Sequence, residues 1–524
     1  MTSGEEREAA GGLHGMSAEE FRRAGHGLID WIAEYLEGVE GRRVMPEVRP
    51  GSLYDALPGE APERGEAWES IARDVDALIM PSVTHWQSPD FHGFFPCNNS
   101  YPSVLGELLS AGLGINGFLW QCSPAITELE MRVMNWLGKA VGLPGEFLFA
   151  ERHAEAAACV TREAGAGGGG GVIHGTASEA VLTAMVAARH RVERGGAGGE
   201  GALTVYASSQ AHSSVTKAAM VAGVGREGVR LIGVDGSLAM RADELERTMR
   251  ADIAAGRRPM LVCATVGTTS TGAVDPVGAV ARAARRAAAS AREISGAGAV
   301  PGAGAGAGAG GVWVHVDAAF AGAACVCPEH RWLLEGVEEA DSFNFNPHKW
   351  LLTNFDCSAF WTRDARALSE SLSINPEYLR NKASEAREVV DYRDWQVPLG
   401  RRFRALKLWF VMRRFGLEGL RAHVREHVRL GELFEGLARG DERFEVPTPR
   451  LLSLVCVRLR AGDEATARVL ERANASGRGL FTGSVVPIGA GGENRRVIRV
   501  AIGATRTRER HVRAAWELLS KAAE

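Results

Sequence analysis

The sequence has no excess of charge of either sign, no paired cysteines and no long apolar run. Each absence removes a class of function. Sixty Lys and Arg stand against 64 Asp and Glu, a net charge of −4 over 524 residues. A polyanion-binding protein of this size leans basic, so nucleic acid is not an expected partner. The eight cysteines, at 97, 122, 159, 263, 325, 327, 357 and 456, include no Cys-x-x-Cys pair. That spacing suits neither a zinc site nor a disulfide framework, so reduced thiols of a cytoplasmic protein are expected and no metal. The opening residues, Met-Thr-Ser-Gly-Glu-Glu-Arg-Glu, are acidic and lack an apolar core, which argues against a secretory signal. The sequons at Asn98 and Asn474 then carry no meaning. The charge-free run from Gly296 to Val314 is mostly Gly and Ala, too weakly apolar to span a bilayer, and no membrane partner is expected.

What is present is an ordinary globular composition, 45% hydrophobic and 24% charged. The chain is long enough to bury a large core without staples. Phe21, Leu28, Ile32, Tyr35 and Leu36 recur at helical spacing after a possible cap at Ser17, and more helix signals follow at 66–80 and 103–111. With a Pro- and Gly-rich stretch from about 40 to 63, residues 1–100 read as an N-terminal helical arm. From 101 to 405, short apolar runs alternate with helical ones and predict strands at Leu203–Ala207, Val229–Val234, Met260–Thr265, Val312–Val316, Ser342–Asn346 and Ser358–Thr362. That alternation predicts an α/β domain with a mostly parallel sheet covered on both faces. Two Gly/Ala tracts, Ala164–Gly171 and Gly296–Gly311, read as surface loops. Residues 406–524 read as a smaller α+β domain. A helix through Phe403, Leu406 and Phe410 stops near Gly416, strands follow at Leu451–Leu459 and Val497–Ile502, and a last helix lies near 507–521.

Two motifs match familiar patterns without their context. Gly223-Val-Gly-Arg-Glu-Gly228 fits a dinucleotide-binding spacing, but it follows a helix and precedes a strand, the reverse of what that fingerprint needs. His423 and His427 are spaced like zinc ligands on a helix, but no Glu follows the first and their Arg-rich face reads as solvated.

Four segments at predicted strand ends supply complementary chemistry, where open α/β sheets bind ligands. Gly175-Thr-Ala-Ser178-Glu179 opens a helix, and free N–H groups with the helix dipole make a seat for a phosphate. The strand Gly311-Val-Trp-Val-His-Val-Asp317 delivers one carboxylate into an apolar setting, where a protonated pyridine nitrogen would meet it. In Asp341-Ser-Phe-Asn-Phe-Asn346-Pro-His348-Lys349-Trp350 a lysine stands among Pro, His and Trp, and desolvation there makes it an imine-forming nucleophile. Tyr206-Ala-Ser-Ser-Gln-Ala-His212 presents an imidazole able to stack on a flat ring or move a proton. Taken singly, the helix opening, Asp317 and His212 each have a plain capping role as the alternative. Together they meet the needs of pyridoxal phosphate.

On these segments, with Met80-Pro-Ser-Val-Thr-His-Trp86 and Ser123-Pro-Ala-Ile-Thr-Glu-Leu-Glu130, the chain resembles the aromatic-L-amino-acid decarboxylases of the group II pyridoxal-phosphate decarboxylase family. The similarity runs from about Glu19 to Leu519, and Asn375-Pro-Glu-Tyr378-Leu-Arg and Leu399-Gly400-Arg-Arg-Phe-Arg look more like the plant-type members. The resemblance implies the aspartate-aminotransferase-like (type I) fold and an obligate homodimer embraced by N-terminal arms. It implies that Lys349 binds the cofactor covalently, Asp317 faces the pyridine nitrogen, and Ala177, Ser178, Asn346 and His348 surround the phosphate. Thr269 and His212 match residues close to the ring, and Tyr378 matches the proton donor on a loop that closes over the site. For the substrate it points to Trp86, Phe94, Phe95 and Pro96, with Phe118 reaching across the dimer. Cys97 departs from the threonine of animal members, which puts a contact to the substrate carboxylate in question. Gly400 matches a glycine of tryptophan- and dopa-type members, leaving room for indole, so tryptophan is the expected substrate ahead of tyrosine, dopa and 5-hydroxytryptophan. Related acetaldehyde synthases generally carry phenylalanine in place of Tyr378 or replace His212; both residues are intact here. A catalytically silent binding protein is the other alternative.

Overall fold

The computed structural model describes residues 15–161, 168–194, 201–295, 311–488 and 492–524. Seven strands form the main sheet: β1 (Gly170–His174), β2 (Leu203–Ser208), β3 (Val229–Ile232), β4 (Arg258–Thr265), β5 (Trp313–Asp317), β6 (Ser342–Phe345) and β7 (Ser358–Thr362). Their order is β1-β7-β6-β5-β4-β2-β3. Neighbours from β6 to β3 run parallel, while β7 is antiparallel to both β6 and β1. Alternate residues facing opposite covered faces explain why β4 is apolar from Met260 to Ala264. Its Leu261 and Cys263 pack with Ala180, Ala184 and Ala188 of the helix Ala177–Arg194. Its Val262 and Ala264 pack on the other face with Val280, Ala281 and Ala284 of the helix Val277–Ser295.

A second sheet follows in the chain, built from β8 (Phe444–Glu445), β9 (Leu454–Leu459), β10 (Thr482–Pro487) and β11 (Asn494–Ala501) in the order β10-β11-β9-β8, antiparallel throughout. Val455, Val457, Ile498 and Val500 share one core with Val469, Val512 and Leu519 from the helices Asp463–Ala475 and Glu509–Ala522. The N-terminal part is helical, with Ala18–Gly38 started by a capping box at Ser17 and Glu20.

Several expectations need correction. Gly170 and Gly171 are not loop residues; they open β1, and Ile173 and its neighbours pair with β7. Their lack of a side chain serves packing: a Cβ at Gly171 would lie 2.7 Å from Trp361, and one at Gly170 would lie 2.4 Å from Phe149. Residues 164–167 of that tract and 296–310 of the second lie outside the described residues. The helix from Arg404 does break at Gly416 (φ 63°), but helix resumes at once and runs to Arg439. His427 is buried, not solvated, and its Nδ1 accepts from Trp350 Nε1 at 2.8 Å. Among the described residues no group of three or more His, Cys, Asp or Glu is placed to hold a metal ion, and no helix is long and apolar enough to cross a membrane.

Candidate functional site

Adjacent strands β5 and β6 end side by side and build the centre of the site. Asp317, the last residue of β5, is paired in register with Asn344. Its Oδ1 accepts from Ala319 N at 3.1 Å and Asn344 Nδ2 at 3.4 Å. Beyond β6 the chain makes a single turn, Pro347–Trp350, that carries Lys349. Asn346 N bonds Ala319 O at 3.0 Å, tying the turn to the end of β5. The Lys349 amine has no hydrogen bond or ion pair among the described residues, and it sits 5.4 Å from the centre of the Phe95 ring. Burial lowers its pKa; the Asp317 carboxylate opposes that shift and Arg499 reinforces it. An amine in that position is poised to act as a nucleophile.

The floor is an aromatic stack. Phe95 lies against Phe320 with centroids 4.0 Å apart, and Phe320 lies against Trp350 at 4.6 Å. The His348 ring is buried beside Lys349, and burial pushes its pKa down to about 3. It is therefore neutral, and because Nδ1 accepts from Cys357 N at 2.8 Å, its proton stands on Nε2, where it can be donated. The Asn346 amide oxygen is buried and unpaired; turned over, that amide offers its NH2 to an anion.

The helix Ala177–Arg194 begins at the other side. It includes Ala177 and Ser178 in its first turn, and their main-chain N–H groups have no partner among the described residues. The expected cap is present but displaced. Thr176 Oγ1 accepts from Glu179 N at 3.3 Å, while the Glu179 carboxylate reaches Gly175 N at 2.9 Å, one residue earlier than a regular capping box. Burial works against ionising Glu179, but His174, Gly175 N–H and Arg404 outweigh it and hold the carboxyl at about 2. His212 is exposed, and its Nδ1 accepts from Ser214 N at 3.1 Å. Partial burial of its ring lowers its pKa, Asp317 opposing and Lys349 adding to the effect, so it stands within electrostatic reach of both.

Not every candidate joins this cluster. Cys97 does: burial pushes its thiol up, and the Lys349 amine counters. Trp86 and Phe94 stack on each other at 5.7 Å as a half-exposed wall next to Phe95 and Pro96 in the chain. Phe118 and Gly400 form a separate group, with Gly117 N bonded to Arg401 O and Arg401 N to Asn116 Oδ1. Thr269 is exposed and unpaired. Tyr378, on the short turn Glu377–Leu379, is 76% exposed and makes no bond to the Lys349 cluster.

One residue escaped sequence reasoning. Arg499 of β11 is 3% exposed and has no ion pair among the described residues. Its guanidinium lies 5.2 Å from the Phe95 centroid, NH1 donates to Thr482 Oγ1 at 2.8 Å, NH2 to the Phe94 carbonyl at 3.2 Å, and Nε is unpaired. An unpaired buried cation carries a cost on the order of several kcal/mol, which an arriving carboxylate would offset. The available signal was an arginine in the middle of the apolar run Val497–Ile502.

Atom by atom, the set fits pyridoxal phosphate: a carboxylate for a pyridinium, an unpaired amine for its carbonyl, and two free N–H groups, an amide and an imidazole N–H for its phosphate. Comparison with known proteins agrees. Residues 50–460 match the model of the pyridoxal-dependent decarboxylase conserved domain. The chain is 43% identical to phenylacetaldehyde synthase of Arabidopsis thaliana, over 98% of this chain and 97% of that one. It is 43% identical to tryptophan decarboxylase 2 of Oryza sativa subsp. japonica, over 97% and 95%. A crystal structure of Oryza sativa TDC with PLP and tryptamine superposes with a TM-score of 0.86 at 40% identity, over 97% and 98%.

Proposed function

The chain belongs to the pyridoxal-dependent decarboxylase family, has its type I fold and uses pyridoxal phosphate, and from that premise we propose that it converts L-tryptophan to tryptamine and CO2. At a coarser level it is a carboxy-lyase of the aromatic amino-acid group. Bound pyridoxal phosphate supplies a carbonyl that condenses with amines and a ring that accepts the electron pair left by departing CO2. The observation that carries the reading is the buried, unpaired Lys349 amine beside Asp317.

From it the roles of the chain's own groups follow. Lys349, whose charged form burial disfavours, would hold the cofactor by a covalent link and release it to the substrate amine. Asp317 keeps a proton on the ring nitrogen, an electrostatic contribution of the kind that dominates in such sites. Ala177 N–H, Ser178 N–H, Asn346 and His348 Nε2 hold the phosphate, and His212 covers the ring. Arg499 binds the substrate carboxylate until it departs, with Cys97 within electrostatic reach of the Lys349 amine. Tyr378 returns a proton to Cα once its segment closes and excludes water. The two-ring wall of Trp86 and Phe94 suits a flat apolar side chain. At Gly400 a Cβ would meet nothing closer than Asn116 at 3.7 Å, leaving space for indole.

A second reading has specific support, since one relative of equal identity is named a phenylacetaldehyde synthase. Incubating the holoenzyme with tryptophan, 5-hydroxytryptophan, tyrosine, dopa and phenylalanine separates the two. Amine and CO2 in equal amounts, fastest from tryptophan, are expected. Stoichiometric hydrogen peroxide and ammonia would replace this proposal by the oxidative one, and a faster rate with another amino acid would replace the substrate.

A homodimer completes the proposal. Phe21, Leu28 and Ile29 of the helix Ala18–Gly38 and Leu105, Leu108 and Leu113 of the helix Tyr101–Leu113 are exposed apolar side chains on two helices, an arrangement that marks an interface. Sedimentation at about twice the 56.0 kDa chain mass is expected; a monomer that is fully active would refute it.

A further inference from the structure

Two parts of the site, the cation Arg499 and the aromatic wall at Phe94, meet at one hydroxyl. Thr482 stands opposite Arg499 in the β10–β11 register. Its Oγ1 accepts from Arg499 NH1 at 2.8 Å and from the Phe94 main-chain N–H at 3.2 Å, while Arg499 NH2 donates back to the Phe94 carbonyl at 3.2 Å. The three residues close a ring of hydrogen bonds. With no carboxylate to fix it, the guanidinium is oriented by this hydroxyl and this carbonyl, and its Nε is left unpaired.

Phe94 needs holding for its own reason. Its φ of 52° is left-handed, a conformation a bulky residue keeps only when its surroundings impose it. The ring of bonds restrains both its N–H and its carbonyl, and so fixes the angle at which its side chain meets Trp86. The fit leaves little slack, since a Cβ on the preceding Gly93 would lie 3.3 Å from Thr482 Cγ2.

We propose that Thr482 is a positioning residue that couples the two recognition elements of the substrate: through Arg499 it sets the grip on the carboxylate, and through Phe94 it sets the wall that selects the ring. The inference rests on the reading of Arg499 as the carboxylate contact. Loss of the hydroxyl leaves two donors facing a methyl group, and unmade hydrogen bonds of this kind are costly. Both ends of the substrate should then be affected by one substitution far smaller than either element.

The test uses holoenzyme and two quantities. The first is KM for each of L-tryptophan, L-tyrosine and L-phenylalanine divided by Ki for tryptamine, tyramine or phenethylamine, which lack the carboxylate. The second is the ranking of the three rings. Thr482→Val is expected to raise the ratio about tenfold with a smaller change in kcat, and to compress the ranking. Thr482→Ser restores both, because the hydroxyl returns. Arg499→Gln raises the ratio and disturbs the ranking less than Thr482→Val does, because the Thr482 hydroxyl still holds the Phe94 N–H, and Phe94→Ala compresses the ranking and leaves the ratio. If Arg499→Gln raises the ratio but Thr482→Val moves neither quantity, the coupling is wrong and the Arg499 reading stands. If Arg499→Gln leaves the ratio unchanged, the carboxylate reading is wrong and the coupling falls with it. Failure of Thr482→Ser to rescue a folded Thr482→Val defect also overturns the proposal. Should the valine variant not fold, Thr482→Ala removes the same acceptor and is judged by the same outcomes.

Discussion

Lys349 and Tyr378 are both expected to handle the substrate, yet they sit in opposite kinds of structure. The Lys349 turn is fastened on every side. Asn98 N donates to His348 O at 2.7 Å, Cys357 N to His348 Nδ1 at 2.8 Å, and Trp350 Nε1 to His427 at 2.8 Å. Tyr378 lies on a segment where Ile374 is 75% exposed and only Leu379 is buried. The contrast amounts to a division of labour. Groups that must stay in register with a bound ring are built on strand ends held by hydrogen bonds from adjoining segments, and a group that must arrive after the substrate is left on a segment with little to release.

The largest expected effect falls on the fixed side. Lys349→Ala should lower turnover by about four orders of magnitude or more. Its thermal midpoint should hold or rise, because a buried amine without a partner is itself a cost. Unfolding of that variant in a melting experiment would show that the turn depends on the lysine it carries. Next comes Asp317→Asn, which keeps the shape and removes the charge. A fall in kcat of about a hundred- to a thousand-fold is expected, and an effect below tenfold would remove Asp317 from the electrostatic role. The smallest effect belongs to the exposed side. Tyr378→Phe should slow substrate consumption by less than about tenfold while diverting product toward aldehyde, ammonia and hydrogen peroxide. At 76% exposure its melting temperature should stay within about 1 °C. Unchanged amine yield would erase the contrast with Lys349, since the tyrosine would then have no proton to deliver.

Strand ends β5 and β6 could be read from the sequence because a continuous apolar run closing on one charged residue is the pattern of a covered strand that delivers its charge at the sheet edge. Asp317 emerges that way as a candidate, whereas Lys349 is singled out by the Pro, His and Trp around it and the anion seat by the helix opening Gly175–Glu179. β1 could not be found, since its glycines answer to Trp361 and Phe149, which are distant in sequence and adjacent only in the fold. Arg499 was missed for a related reason. Its meaning comes from Phe95 and Thr482, one earlier in the chain than any strand of the large sheet and one on β10, and no local pattern joins them. The helix after Gly416 was hidden by a glycine that bends the path without ending it.

The position of β7 also fixes the order in which the protein can be made. β1 has a single neighbour, and that neighbour is β7, so Gly170–His174 stays an unpaired edge until Ser358–Thr362 has left the ribosome. The helix opening that follows β1 therefore still lacks its sheet partner when the chain has reached residue 317, whereas β2, β4 and β5 can by then zip together in parallel. The helix end at Ala177 and the turn that carries Lys349 are thus joined through one sheet only once residue 362 of 524 has been made.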